Sequence, residues 1–444
     1  MNAMGIDIGT TSISMVLLDE DTGSLVARET VNHASFIDDG CPVGKTQDAG
    51  RIIGIVMDRF TALVSAHGKP CCIGLTGQMH GMLYVDANGD AVSPLYTWQD
   101  GRGNLPMTPE GMTYAEYLNV FGASASGYGL TTHFYMVFNK RVPANAASMV
   151  TISDYLAMKL TGSKSPVLGA DMAASWGCFD LKKKAFTIED PLLPRVATGY
   201  EIIGETSDGV PVMVSAGDNQ ASFIGSVRDT GAAVLLNIGT GSQISLGTDR
   251  FFNCGGAIEL RPCADDYILA GSGLCGGRAY AMLEQFYREA SGTDAPCYDR
   301  MLEQATAFVA QRGMDAAWRV RTTFSGTRSN PDERGSIRGI GVQNFRPGAL
   351  TAGLVAGILG ELHDCYRDMT ALTGRPAAVL AGSGNGLRRN PLMRHLAEDI
   401  FGMKLYIPAH MEEAACGAAL CALTASGRVK SLRDAQAMIR YLED

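Results

Sequence analysis

The sequence lacks any long hydrophobic run: no stretch approaches the roughly 18 consecutive apolar residues that a membrane-spanning helix needs. It also lacks a lysine and arginine cluster, since the one basic run is the short segment Lys182–Lys184. With a formal net charge of −9 as well, a surface for nucleic acid or anionic membranes is not expected. We therefore predict small-molecule partners, with no nucleic acid and no membrane.

The eleven cysteines lack the repeated spacing of a metal site. Cys71 and Cys72 are adjacent in a predicted buried strand, and reduced, structural thiols are the expected state. The first predicted strand begins almost at Met1, which leaves no room for a signal peptide. These features predict a cytoplasmic protein. They leave its oligomeric state open, with a homodimer as one option.

What the sequence does contain is a motif that occurs twice. Residues 4–19 and 234–249 each place a Gly-Thr turn between two apolar runs, the pattern of two strands joined by a tight hairpin. The copies lie about half of the 444-residue chain apart, so the repeat has the period of a domain rather than of a solenoid. We predict two related domains, at residues 1–216 and 217–444.

The segments between these motifs show helical and strand patterns. Apolar residues recur every four positions over residues 52–64, which predicts a helix ending near Gly68. A second apolar stripe predicts a long helix over residues 350–369, ending at Gly374. Residues 98–190 show little periodicity apart from one helix predicted around residues 150–160, beginning near Ser153 and Asp154. We predict that they form an irregular insertion covering a cleft.

The Gly-Thr turns are candidate phosphate sites, because a tight turn exposes backbone N–H groups and a hydroxyl to phosphate oxygens. A further glycine-rich loop runs from a predicted strand into a helix N-terminus, which suits the adenosine end of a nucleotide. Asp7, just ahead of the first turn, is the predicted ligand of a hydrated Mg²⁺. The predicted ATP-binding residues are Gly9, Thr10, Thr11, Gly239, Thr240, Gly241, Ser242, Gly382, Ser383, Gly384, Asn385 and Asn390.

Two polar segments in the first half predict a site for the phosphoryl acceptor. A polyol pairs its hydroxyls with amides, imidazoles and charges, and rests its C–H groups on an aromatic face. Asp218 is the predicted catalytic base, because it follows an apolar strand and a carboxylate there can accept the proton of an attacking hydroxyl. The predicted substrate-binding residues are Gln78, Met79, His80, Trp98, Asp100, Arg102 and Asn219.

Together these residues resemble the FGGY carbohydrate kinases over nearly the whole chain. Asp7–Thr11 and Gly239–Ser242 are similar to the two phosphate motifs of that family, and Gly382–Asn390 to its adenosine motif. Gly217–Gln220 resembles its catalytic aspartate segment. The resemblance implies an α/β fold of two RNase H-like domains, of the actin and hexokinase ATPase type, with an interdomain cleft. It also implies Mg²⁺-assisted transfer of the γ-phosphoryl group of ATP to the terminal hydroxyl of a ketose.

The choice of ketose depends on two segments, residues 97–102 and 173–177, which resemble the family branch that phosphorylates sedoheptulose. Xylulose or another pentulose stays open, because the sugar loop and the catalytic segment are shared. One position departs from the family, whose members usually carry Lys or Arg where this chain has Ser14. Since that cation would lie near the transferred phosphoryl group, a second alternative is a sugar-responsive binding or regulatory protein without efficient transfer.

Overall fold

The computed structural model describes residues 1–273, 275–326, 330 and 332–443. The chain packs into two compact units, each formed from three segments. Unit 1 comprises Met1–Arg228, Arg261–Asp266 and His410–Ile439, and unit 2 comprises Asp229–Leu260, Tyr267–Ala409 and Arg440–Asp444. The domain boundary between residues 216 and 217 stays a prediction. Among the described residues, no helix has the length and hydropathy that crossing a membrane would require.

The strands, in chain order, are short except around the two repeated motifs. They are β1 Asn2–Ile8, β2 Ser12–Asp19, β3 Leu25–Asn32, β4 Phe36–Ile37, β5 Thr46–Gln47, β6 Cys72–Gly77, β7 Leu83–Val85, β8 Leu95–Tyr96, β9 Ser148–Val150, β10 Val167–Gly169, β11 Phe179–Asp180, β12 Ala185–Phe186, β13 Arg195–Ala197, β14 Ile202–Glu205, β15 Pro211–Met213, β16 Ala216–Gly217, β17 Ala233–Ile238, β18 Ser242–Thr248, β19 Ile258–Cys263, β20 Asp266–Gly273, β21 Arg319–Arg321, β22 Ser336–Arg338, β23 Val379–Ser383 and β24 Leu405–Tyr406.

The helices range from single turns to one of 27 residues. They are α1 Ala49–His67, α2 Tyr114–Leu118, α3 Gly129–Phe138, α4 Ile152–Thr161, α5 Ala170–Ser175, α6 Asp218–Ser226, α7 Gly276–Ser291, α8 Tyr298–Arg312, α9 Pro347–Thr373, α10 Asn385–Arg389, α11 Pro391–Phe401, α12 Glu413–Ala425 and α13 Leu432–Gln436, with 3₁₀ turns at Arg102–Asn104 and Met314–Ala316.

Unit 1 is built on a mixed sheet in the order β14-β15-β6-β1-β2-β3, with β16 also beside β6. The predicted first hairpin is confirmed, because β1 and β2 pair antiparallel and β6 runs parallel to β1. Across four neighbouring strands the register aligns Thr76, Asp7, Ser14 and Thr30 in one row. Cross-strand partners share a face of the sheet. The row therefore brings polar side chains together where β1 ends.

Unit 2 is built on a sheet in the order β19-β20-β18-β17-β23-β24. Here β17 and β18 form the predicted second hairpin, and β23 runs parallel to β17. An antiparallel hairpin with a parallel strand beside its first member is the same plan as β2-β1-β6 of unit 1. The repeated strand plan that the two motifs predict is confirmed, as is the α/β fold that the family resemblance implies.

The two helices predicted from periodicity are confirmed. Helix α1 begins after Asp48, whose side chain accepts a hydrogen bond from the Arg51 N–H, and ends at Gly68 with φ of 84°. Helix α9 ends at Gly374, where φ is 68°. Glycine adopts these left-handed values without the steric cost that a Cβ adds.

The helix predicted around residues 150–160 is confirmed as α4. The prediction that the rest of residues 98–190 is irregular is wrong, because they also contain α2, α3, α5 and β9 to β12. These helices have only five to ten residues, too few turns for a periodic pattern to stand out. Helices α2, α3 and α5 contribute to an apolar cluster of unit 1 that includes Tyr84, Met149, Met172 and Trp176, all fully buried. Helix α4 packs instead into the apolar core that strands β1 and β2 also form. Tertiary packing therefore determines this region more than local sequence does.

Helices α6 and α12 of unit 1 cross in close contact through two glycines. A Cβ on Gly225 would overlap the carbonyl oxygen of Glu413, and a Cβ on Gly417 would overlap that of Ala221. Only glycine allows backbones to approach so closely. The crossing places Ala221, in the first turn of α6 that Asp218 begins, against Gly417 of α12.

Candidate active site

Asp218 is the first residue of α6, directly after the short strand β16. The strand is held by the Gly217 N–H, which donates to Asp171 Oδ2 at 2.9 Å. Burial raises the pKa of Asp218 to about 6, against the lowering effects of the Asn219 backbone N–H and of Arg261. A carboxylate with a pKa in this range is suited to general-base work near neutral pH.

Asp7 lies at the end of β1, paired across the sheet with Thr76. Its Oδ1 atom and the Thr76 hydroxyl are buried without a hydrogen-bond partner among the described residues. Burial raises the pKa of Asp7 to about 8, with further contributions from Asp218 and Glu412. A buried carboxylate oxygen that has no hydrogen-bond partner and lies near other acids is costly by itself, and a bound cation would stabilise it.

The described residues contain no group of three His, Cys, Asp or Glu side chains arranged to hold a metal ion by themselves. Mg²⁺ keeps several water ligands and is usually bound by one or two carboxylates together with substrate phosphates. Asp7 is the residue that best fits such an ion, through its unsatisfied Oδ1 atom. Its assignment as the metal ligand stays a prediction.

Ser14, where a cation was expected, belongs to a hydrogen-bonded chain within unit 1. Its Oγ atom lies 3.2 Å from Thr30 Oγ1, and the Thr30 hydroxyl donates to Glu412 Oε1 at 2.9 Å. Glu412 has a left-handed backbone, with φ of 64°, just before α12. Position 14 therefore carries a buried hydroxyl linked to an acid, and no positive charge.

The first Gly-Thr turn is held by three side chains of unit 1. Gln47 Nε2 donates to the Thr10 carbonyl oxygen at 2.6 Å, and the Trp98 indole N–H donates to the Thr10 hydroxyl at 2.9 Å. A ring nitrogen of His33 lies 3.1 Å from the Gly9 carbonyl oxygen. Trp98 is 47% exposed, so its ring remains accessible to a ligand. The predicted phosphate turn and a predicted sugar residue are thus neighbours.

The predicted sugar loop follows β6. His80 has a left-handed backbone, with φ of 72°, and its Nδ1–H donates to the Ser175 carbonyl oxygen at 2.6 Å. Its ring stacks on Tyr128, with centroids 4.5 Å apart. Gln78 donates to Gln47 Oε1 at 2.9 Å and keeps a buried Oε1 without a partner among the described residues. Met79 is buried beside the start of α6, with its sulfur against Gly217.

Asp100 and Arg102, also predicted to bind sugar, are both buried and form an ion pair with each other. Arg102 forms a second ion pair with Asp39 and lies over the Tyr96 ring at 4.9 Å. Asp100 also accepts the Lys45 N–H at 3.1 Å. These contacts give the pair a structural role in unit 1, and contact with sugar stays a prediction for both residues.

Arg261 is hydrogen-bonded to Asn219, and the sequence analysis did not identify it as a site residue. It lies near the end of β19, and its Nη1 donates to Asn219 Oδ1 at 2.9 Å. Burial lowers its pKa, while Tyr128 and Asp218 act in the opposite direction. A lone arginine in a short strand gives no motif, which is why the sequence alone did not reveal it.

In unit 2 the second Gly-Thr turn packs against the start of α7. The Gly239 N–H donates to the Gly241 carbonyl oxygen at 3.0 Å, and the N–H groups of Gly277 and Arg278 donate to Gly239 and Thr240 at 3.0 and 2.8 Å. Ser242 donates to the Gly273 carbonyl oxygen at 3.3 Å. The turn is therefore rigidly supported, and a helix N-terminus lies directly behind it.

A cavity of about 700 Å³ in unit 2 opens beside this turn. Its lining includes Asn385 and Asn390 of the predicted adenosine motif, and also Tyr280 and Tyr298, whose rings stack 5.9 Å apart. The Asn390 side chain caps α11 by accepting the Met393 N–H at 3.0 Å. Gly382, Ser383 and Gly384 end the strand β23 and lead into α10. The volume suits a nucleoside with its phosphates.

Comparison with known proteins decides the family. The N-terminal domain model of the FGGY carbohydrate kinases matches residues 2–235, and the C-terminal domain model matches residues 259–426. The chain belongs to the FGGY family of carbohydrate kinases. The family predicted from the sequence is thus confirmed, and this FGGY kinase is an ATP-dependent phosphotransferase.

Individual relatives of this FGGY kinase span nearly its whole length. The sedoheptulokinase of Mus musculus is 28% identical over 95% of this chain and 97% of its own. The gluconokinase of Bacillus subtilis is 22% identical over 98% of this chain and 90% of its own. The structure of Plasmodium falciparum glycerol kinase with ADP is 18% identical, with a TM-score of 0.81 over 98% of this chain and 92% of its own. The last likeness concerns the fold alone.

Proposed function

We propose that this FGGY kinase transfers the γ-phosphoryl group of ATP to the terminal hydroxyl of a ketose, with sedoheptulose as the preferred acceptor. The observation that carries the proposal is the arrangement around Asp218 in unit 1. The partly buried carboxylate heads α6, Asn219 and Arg261 are hydrogen-bonded beside it, and Met79 of the sugar loop packs against Gly217. The proposed base and two of the proposed sugar-binding residues, Asn219 and Met79, therefore lie close together.

In the proposed reaction, Asp218 accepts the proton of the attacking hydroxyl as the new oxygen–phosphorus bond forms and the bond from the γ-phosphorus to the bridging oxygen of ADP breaks. Each Gly-Thr turn is a proposed phosphate site through its backbone N–H groups. Mg²⁺, held by Asp7 and the nucleotide, would offset negative charge on the phosphates. Arg278 lines the nucleotide cavity of unit 2 beside Thr240 and is a proposed source of positive charge for the nucleotide phosphates.

The preference for sedoheptulose is supported by the position of the segments that resemble that branch. Ser175 accepts the His80 Nδ1–H, and the Trp176 indole donates to the Gly81 carbonyl oxygen at 3.0 Å. Trp98, from the other segment, donates a hydrogen bond from its indole N–H to the Thr10 hydroxyl. Both segments therefore support the sugar loop or the phosphate turn directly. The similarity to sedoheptulokinase over 95% of the chain agrees with this choice.

A panel of acceptors tests the proposal, with ADP release measured by a coupled assay for sedoheptulose, xylulose, ribulose, gluconate and glycerol. We expect the highest kcat/KM for sedoheptulose. The main competing function is a pentulose kinase, since the sugar loop and Asp218 would serve a five-carbon ketose equally well, and a higher kcat/KM for xylulose would favour it. A preference for gluconate or glycerol would contradict the ketose assignment.

A second competing function is a regulatory protein that binds sugar without efficient transfer, which Ser14 and its link to Glu412 favour. Calorimetry of sugar and nucleotide binding, combined with product analysis, separates it from a kinase. Binding of both ligands without any phosphorylated sugar would support the regulatory role. Turnover with sedoheptulose would exclude it.

A further inference from the structure

Arg261 determines which end of the Asn219 amide is available to a ligand. The guanidinium carries only donors, so the group that faces it at 2.9 Å must be the amide oxygen, Oδ1. The amide nitrogen of Asn219, with its two N–H donors, then points away from Arg261. Asn219 is the second residue of α6, next to Asp218. A fixed donor is therefore placed beside the predicted base.

The surroundings of Arg261 connect this pair to the sugar loop. The charged and polar groups that interact with its guanidinium include Asp218 and Tyr128 as well as Asn219. Tyr128 in turn stacks on His80. A largely desolvated cation is stabilised in such a place only by partners of fixed geometry. Arg261 is thus linked directly to Asn219 of the catalytic segment, and electrostatically to Tyr128, which stacks on His80 of the sugar loop.

We propose that Arg261 is a positioning residue of the acceptor site: it orients Asn219, the neighbour of Asp218 in α6, so that the amide N–H groups donate to a ketose oxygen. This inference rests on the proposed function, since it names how that same site recognises its acceptor. Arg261 acts through Asn219 and is not itself assigned a contact with the sugar.

The test is a double-mutant cycle of Arg261→Met and Asn219→Ala, with Arg261→Lys as the conservative variant. Methionine keeps much of the length of the side chain and removes its charge and donors. Because a hydrogen bond to a charged group is involved, we expect Arg261→Met to lower kcat/KM for the acceptor about 10- to 100-fold, mainly through KM, with little change in KM for ATP. Lysine should restore part of the loss, because it keeps a charged donor.

If Arg261 acts through Asn219, the double variant should be hardly worse than Asn219→Ala alone. Acceptor kinetics of Arg261→Met equal to the wild type, or losses from the two changes that simply add, would overturn the proposal. Arg59→Met is the matched control: Arg59 is an exposed arginine of unit 1 that pairs with Glu29, and its loss should leave all constants unchanged. Thermal unfolding of each variant shows whether a kinetic loss comes from a destabilised fold or from a misplaced Asn219 side chain in a stable one.

The cycle is run with the best acceptor of the wild-type protein, whichever compound of the panel that is. A preference for gluconate or glycerol would then refute the ketose assignment while the coupling of Arg261 and Asn219 is still measured. Binding of that acceptor by calorimetry without nucleotide gives a second readout. We expect Arg261→Met to weaken binding by the same factor as it raises KM, and an unchanged affinity would contradict the proposal.

Discussion

Replacing Gly417 by alanine tests the packing that places Asp218. The added Cβ would overlap the Ala221 carbonyl oxygen of α6, and a backbone atom cannot move aside as a flexible side chain can. Relief requires α6 and α12 to separate. Overpacking of this kind costs about 1–3 kcal/mol, and the contact with backbone places Gly417→Ala at the upper end of that range. Alanine regains about 1 kcal/mol of helix propensity, so the net loss of stability is about 2 kcal/mol.

Thermal unfolding followed by circular dichroism measures this effect, and the first transition of Gly417→Ala should shift down by about 4–8 °C. Turnover should fall as well, because Asp218 heads the displaced helix. Gly54→Ala is the matched control: Gly54 lies within α1, and a Cβ there meets nothing within 4 Å. This control should be neutral or stabilised by up to about 1 kcal/mol. An unfolding temperature of Gly417→Ala at or above that of the wild type would refute the reasoning.

Three further predictions concern the reaction itself. Since Asp218 must be ionised to accept a proton and burial raises its pKa to about 6, kcat/KM for the acceptor should fall as pH drops through 6, about tenfold per unit; a profile flat to pH 4.5 at saturating ATP would contradict this. Arg278→Ala should raise KM for ATP about tenfold, with KM for the ketose unchanged in the same steady-state assays. His80→Ala removes the ring that Ser175 and Tyr128 orient. In the same assays it should raise KM for the ketose and leave KM for ATP unchanged.

The sequence was most informative where function requires a local motif. The two Gly-Thr hairpins, the helix ending at Gly374 and the turn at Asn390 each depend on glycine, proline or capping residues whose backbone preferences are local. Prediction therefore succeeded for β1-β2, β17-β18 and α9.

Prediction failed where structure depends on contacts between distant segments. Helices α2, α3 and α5 are stabilised by an apolar cluster drawn from several segments, and their short lengths give no clear period. Arg261 joins Asn219 from a strand 42 residues further along the chain, a contact that no spacing reveals. The hydrogen bonding of Ser14 could not be predicted either, because Thr30 links it to Glu412, which lies near the other end of the sequence.

The central claim, that Asp218 is the base of a ketose kinase, is tested most directly by the turnover of Asp218→Asn with the preferred ketose and saturating ATP. Asparagine keeps the shape of the side chain and cannot accept the proton, so kcat should fall about 10²- to 10⁴-fold while calorimetry shows nearly unchanged sugar binding. Asp58→Asn, at an exposed position of α1, should match the wild type. Wild-type turnover by Asp218→Asn would contradict the account.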